Sequence, residues 1–146
     1  MSDENKNKFF GNYQLVGAEF QRSNGKNISL KDGDVAGMLL YDTKGNMSVQ
    51  YMNSNKAVLE TGIFDDISEE IKSAFGQFLA YFGTYEVDFE KNIVTHKLEG
   101  SNFPQWVNNG QKRLFDFSND LLTLSTPHIP AGKETLKCSF IWKKFV

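Results

Sequence analysis

Eight short runs of strand-like residues, each ended by residues that favour a turn, restrict the fold of this chain more than any other feature. They cover 11–20, 37–41, 47–52, 82–88, 93–99, 111–117, 121–126 and 136–145. Between several of them DTKGN, FEKN and SND supply Gly or Asn where a tight hairpin demands a positive φ. Strands joined so closely run antiparallel, because a parallel pair needs a long crossover. One segment, 65–83, reads as helix. Asp66 stands where it can cap the first turn and Glu69 follows in capping-box position. Ile67, Ile71, Ala74, Phe75, Phe78, Leu79 and Phe82 make one apolar stripe of about four turns, and Gly83 is placed to end it.

These elements predict an all-β fold: an eight-stranded antiparallel barrel with one amphipathic helix between strands 3 and 4, lying across an end or flank. Closure removes the exposed edges, and eight strands leave an interior that side chains fill or that holds one small ligand. A chain of 146 residues suits one domain. The expected division is a flexible, polar N-terminus over 1–8 and a single barrel over 9–146.

Charge and composition remove several function classes. The net charge of −2 and the scattered Lys and Arg give no basic patch for a phosphate backbone, so no nucleic-acid partner is expected. No apolar run is long enough for membrane insertion, and MSDENKNKFF has no apolar leader. With Cys138 the single cysteine, these features point to a cytoplasmic protein without an internal disulfide. Two histidines, His96 and His128, and one cysteine offer no spaced metal cluster, so no metal is expected. Phosphate-binding glycine loops and a nucleophile elbow are absent from the sequence. Thirteen phenylalanines indicate a heavy core or an aromatic-lined cavity.

GNYQLV (11–16), GMLLYDTKGNMSVQYM, AYFGTYEVD, VTHKLEGSNFPQW, RLFDFSNDLLTLSTP and the closing FIWKK resemble, in order and over nearly the whole chain, the bacterial and fungal lipocalin-like domain proteins. That resemblance implies a small β-barrel of calycin type with no cofactor. Some members of that family belong to specialised metabolism, where related barrels catalyse isomerisation or cyclisation, while for most members activity is undefined. The start departs from the Gly-x-Trp of secreted lipocalins, reading Gly11-Asn12-Tyr13, and Trp142-Lys143 stand where an Arg would follow. Retinoid or pheromone binding is therefore not carried over.

Alternation along strands selects the candidate site. Val94, His96 and Leu98 share one face, so an ionisable imidazole sits with the apolar set. His96 is either a cavity acid, base or hydrogen-bonding group, or a structural histidine tied to a neighbouring strand. Arg113 shares a face with Phe115 and Phe117; it holds a carboxylate, enolate or phenolate in a bidentate fork, pairs with a wall carboxylate such as Glu86, or snorkels to solvent. Tyr51 and Tyr85 alternate with apolar neighbours and present phenols inward, either to a ligand or to a backbone carbonyl, and Phe103 and Trp106 form an aromatic loop that either closes a barrel mouth or plugs the barrel structurally. Cys138 reads as a small buried residue.

Together these residues predict binding of a small, largely apolar or amphipathic molecule with a polar or anionic group, contacted by His96, Arg113, Tyr51, Tyr85, Phe103, Trp106 and Phe115. Two further readings stay open. One is a cofactor-free isomerase or cyclase in which His96 moves a proton and Arg113, with Tyr51 or Tyr85, stabilises negative charge. The other is a structural or interaction module, and a homodimer covering exterior apolar residues such as Leu114 is open as well.

Overall fold

The computed structural model describes residues 8–54, 58 and 60–145; the predicted flexible segment, apart from Lys8, lies outside them. The chain forms β1 (Gly11–Arg22), β2 (Asn27–Lys31), β3 (Val35–Tyr41), β4 (Asn46–Asn53), α1 (Glu69–Gly76) and β5 (Phe78–Asp88). It continues with β6 (Ile93–Ser101), a 3-10 turn (Pro104–Trp106), β7 (Gly110–Ser118), β8 (Leu121–Ser125), β9 (Ile129–Ala131) and β10 (Glu134–Lys144). Neighbouring strands pair antiparallel in the order β1-β3-β4-β5-β6-β7-β8-β10, and β10 returns to β1, closing an eight-stranded barrel. Every strand in the ring thus has both edges paired, which satisfies the backbone polar groups without exposing an aggregation-prone edge.

Two short strands, β2 and β9, were not expected from the sequence. β2 continues along β1 where β3 leaves off: β3 pairs with Gly11 to Gln14, and β2 with Gly17 to Gln21. Asp32, Gly33 and Asp34 interrupt what would otherwise be one long strand, Gly33 with φ of 100°. A bulge between Leu15 and Gly17 reverses the parity of β1. Tyr13 and Leu15 face inward before it, and Ala18, Phe20 and Arg22 after it.

The helix is the main correction. Its N-cap is Ser68, whose hydroxyl accepts from the Ile71 N–H at 3.3 Å. Asp66 instead adopts a left-handed φ of 66° in the preceding turn. The helix spans two turns rather than four and ends at Gln77, so Phe78, Leu79 and Phe82 belong to β5. Pairing with β4 from Met52↔Phe78 to Asn46↔Thr84 supplies seven cross-strand partners, and this tertiary ladder overrides the helical spacing. Gly83 caps nothing. It lies at a second bulge, opposite Leu98, where a Cβ would stand 1.9 Å from the Lys97 carbonyl oxygen. Gly83→Ala is expected to cost about 2 kcal/mol by forcing β5 and β6 apart, read as a lower urea midpoint.

Each end of the barrel is closed by aromatic side chains. At one end Phe9 enters the interior and packs edge-on against Tyr41, Phe115 and Phe117, with ring centroids 5.5, 4.9 and 5.1 Å away. At the other, Ala74 and Phe75 of α1 and Ile63 and Phe64 of the turn before it are buried, and Phe64 meets Phe20 at 5.0 Å. Arg22 fastens this second end, donating to the carbonyls of Asp65 (2.8 Å) and Ala131 (2.7 Å). Outward-facing Met38, Leu40, Met52, Phe78 and Phe82 on β3 to β5 stay exposed, as does Leu114 on β7.

Candidate functional site

β6 carries His96 into the middle of the barrel because Val94, His96 and Leu98 keep strict alternation up to the bulge. The imidazole is 1% exposed. Its Nε2 lies 2.6 Å from the Tyr41 hydroxyl at the end of β3, and its Nδ1 lies 2.6 Å from the Tyr81 hydroxyl on β5. Burial, reinforced by the nearby Arg113 charge, pushes its pKa down to about 3, so the ring is neutral at pH 7. Burial likewise raises the pKa of both tyrosines, which stay protonated. The result is a buried Tyr41–His96–Tyr81 chain of neutral groups.

Beside it lies a cavity of 30 Å³, room for about one water-sized group. Its polar lining is Tyr51, Tyr81, His96, Arg113 and Trp142, and its apolar lining includes Leu39, Phe75 and Phe140. Arg113 is 7% exposed and donates to the Lys112 carbonyl at 2.9 Å. No carboxylate among the described residues pairs with it, because Glu86 bonds Lys97 on the outer wall at 2.9 Å. The indole N–H of Trp142 is buried without a partner among the described residues.

Arg113 and Phe75 also line a second space, a cleft of 480 Å³ at the mouth, together with Ile71, Trp106, His128 and Ile129. α1 forms one side of this cleft and is held from within. Tyr51 Oη and Asn53 Nδ2 both donate to the Phe75 carbonyl, the latter at 2.9 Å. Trp106, its ring tilted against Phe103 at 5.3 Å, donates its indole N–H to Glu70 of α1. Tyr51→Phe removes one of the two bonds to the Phe75 carbonyl. It is expected to cost about 1 kcal/mol and to speed amide exchange across α1 more than in β4 or β5.

Of the residues selected from sequence, His96, Arg113 and Tyr51 meet at the interior cavity and Trp106 lines the mouth cleft. Phe103 supports Trp106 from the loop. Tyr85 and Phe115 face inward but lie apart from the cavity, towards the Phe9 end. Tyr85 donates to the Asp42 carbonyl at 2.7 Å, and Phe115 packs on Phe9 and Phe89. Tyr41, Tyr81, Trp142 and Phe75 are members of the site that sequence reasoning missed. Cys138 is fully buried, and burial pushes its thiol up to about 12. Among the described residues no helix is long and apolar enough to cross a membrane.

Comparison with known proteins bears on this geometry in two ways. The model of the lipocalin-like domain family matches residues 10–145. A protein of Aspergillus oryzae named 4'-hydroxy-3'-methoxypropiophenone carrier protein is 33% identical over 83 residues, covering 52% of this chain and 75% of that protein. The family match runs from β1 through β10, including the strands that bring His96, Arg113, Tyr81 and Trp142 together. The chain belongs to the lipocalin-like domain family.

Proposed function

We propose that the barrel binds a small, largely apolar molecule carrying one polar or anionic group. Arg113 is the observation that carries this reading: a buried guanidinium, without a carboxylate partner among the described residues, that borders both the cleft and the interior cavity. An isolated buried cation is costly, and a ligand oxygen held in a bidentate fork offsets that cost. The two spaces divide a ligand between them. The 30 Å³ cavity suits a head of one or two heavy atoms, and the 480 Å³ cleft suits an apolar body lying against Ile71, Phe75, Trp106 and Ile129. The Aspergillus relative, named as the carrier of an aryl ketone, supports the same ligand class.

Proton transfer by His96, as in an isomerase or cyclase, has less support. Both ring nitrogens already bond tyrosines, so neither offers a free lone pair or N–H to a substrate atom in the cavity. The test is a titration of tryptophan fluorescence with decanoate, benzoate and para-hydroxyacetophenone. Saturable quenching at one site by at least one of them is expected, because Trp106 and Trp142 border the two spaces. No saturable change with any of the three overturns the reading.

A further inference from the structure

The hydrogen-bond inventory of the buried chain leaves one proton over. A neutral imidazole has one N–H and one lone pair, and the two tyrosines bring two O–H groups. Two hydrogen bonds join the three side chains. One tyrosine donates to the ring; the other accepts from it and must turn its own O–H elsewhere.

The surroundings decide which. Tyr41 is fully buried among the rings of Phe9, Tyr13 and Tyr85, and its hydroxyl has no partner other than His96 among the described residues. Tyr13 and Tyr85 direct their own O–H groups to the carbonyls of Phe9 and Asp42. A spare O–H on Tyr41 would be an unpaired buried donor, which carries the full desolvation penalty of that group. Tyr81, in contrast, lines the interior cavity.

We propose that His96 is held as the Nδ1–H tautomer, so that Tyr41 donates to Nε2, Tyr81 accepts from Nδ1, and the Tyr81 O–H is delivered to the cavity. The cavity is then lined by three side chains on three different strands that have N–H or O–H groups to spare: Tyr81 on β5, Trp142 on β10, and Arg113 on β7, which spends one N–H on the Lys112 carbonyl and keeps the others. Of the other two polar lining residues, His96 bonds the two tyrosines and Tyr51 directs its O–H to the Phe75 carbonyl. A head group that accepts without donating matches this recess: the oxygen of a ketone, a carboxylate or a phenolate. An alcohol of the same skeleton brings a proton that finds few acceptors. This inference rests on the proposed binding function and specifies the chemistry of the bound head.

Two measurements test it. In the unmutated, ligand-free protein, the 15N shifts and N–H couplings of His96 report the tautomer. A proton on Nδ1 is expected, and a proton on Nε2 overturns the proposal. In the second, acetophenone and its alcohol counterpart, α-methylbenzyl alcohol, are titrated against the wild type and Tyr81→Phe, with thermal melts confirming that the variant is folded. The wild type is expected to prefer the ketone by about 10-fold or more, and the preference to fall to about 2-fold or less in Tyr81→Phe. Equal affinity for the pair in the wild type overturns the head-group assignment while leaving the binding function intact. Failure of both to bind, together with decanoate, benzoate and para-hydroxyacetophenone, overturns both.

Discussion

Arg113→Met is expected to weaken binding of a carboxylate or ketone ligand by about 100-fold or more while raising the stability of the ligand-free protein. The two effects have one cause. In the ligand-free barrel the guanidinium is taken out of water for a single backbone hydrogen bond at 2.9 Å and no counter-ion among the described residues. Replacing such a charge with an apolar side chain of similar length relieves a desolvation cost, here on the order of 1–2 kcal/mol. The same replacement removes the group that would anchor the ligand oxygen, and truncating one side of a buried charged hydrogen bond costs roughly 2–5 kcal/mol. Isothermal titration and thermal melts of the two proteins check both arms. A variant that binds normally, or that is strongly destabilised, contradicts the account of Arg113 as an anchor held at the expense of stability.

Acid is expected to weaken the fold from below about pH 6.5, with His96 as one source. Its pKa is about 3 in the folded protein against an ordinary value near 6.5, so between these limits the unfolded chain binds a proton that the folded chain does not. The stability due to its neutral form is therefore fully present above pH 6.5 and lost progressively as pH falls towards 3. The full linkage is several kcal/mol in magnitude, and about half of it is lost by pH 4.5 to 5. Urea unfolding at pH 7 and pH 4.5 measures the slope. His96→Gln lacks the titrating ring; it should be less stable than the wild type at pH 7 but lose less on acidification. An equal loss in both proteins would place the acid sensitivity in the carboxylates instead.

Alternation gave the face of each strand but not the depth of a side chain along the barrel. His96, Arg113 and Tyr51 were readable as inward because no bulge intervenes between them and their apolar neighbours. Tyr85 and Phe115 obey the same rule equally well, yet sit towards the Phe9 end, away from the cavity. Strand stagger fixes that depth, and it is set by pairings far apart in sequence. Tyr81 was hidden by a true ambiguity: Phe75, Phe78, Leu79 and Phe82 fit helical spacing, whereas Leu79, Tyr81 and Gly83 alternate as one inward face of β5. Cross-strand bonds to β4, which local sequence does not contain, decided in favour of the strand. Tyr41 was unreadable for a similar reason, since its partner His96 lies 55 residues away. The overall barrel was legible because eight turn-bounded strands with one helix leave few other closed arrangements.

In the proposed binding mode the buried polar cluster around Arg113, Tyr81 and Trp142 receives the ligand head. The most direct measurement is a 1H–15N spectrum of the labelled protein titrated with para-hydroxyacetophenone, following the two tryptophan indole N–H signals and the Arg113 Nε–H. The Trp142 indole and Arg113 signals are expected to shift together and saturate, because a buried N–H without a partner among the described residues gains an acceptor. Saturable binding that shifts only Trp106 and its neighbours in the mouth, leaving Trp142 and Arg113 unmoved, would contradict it.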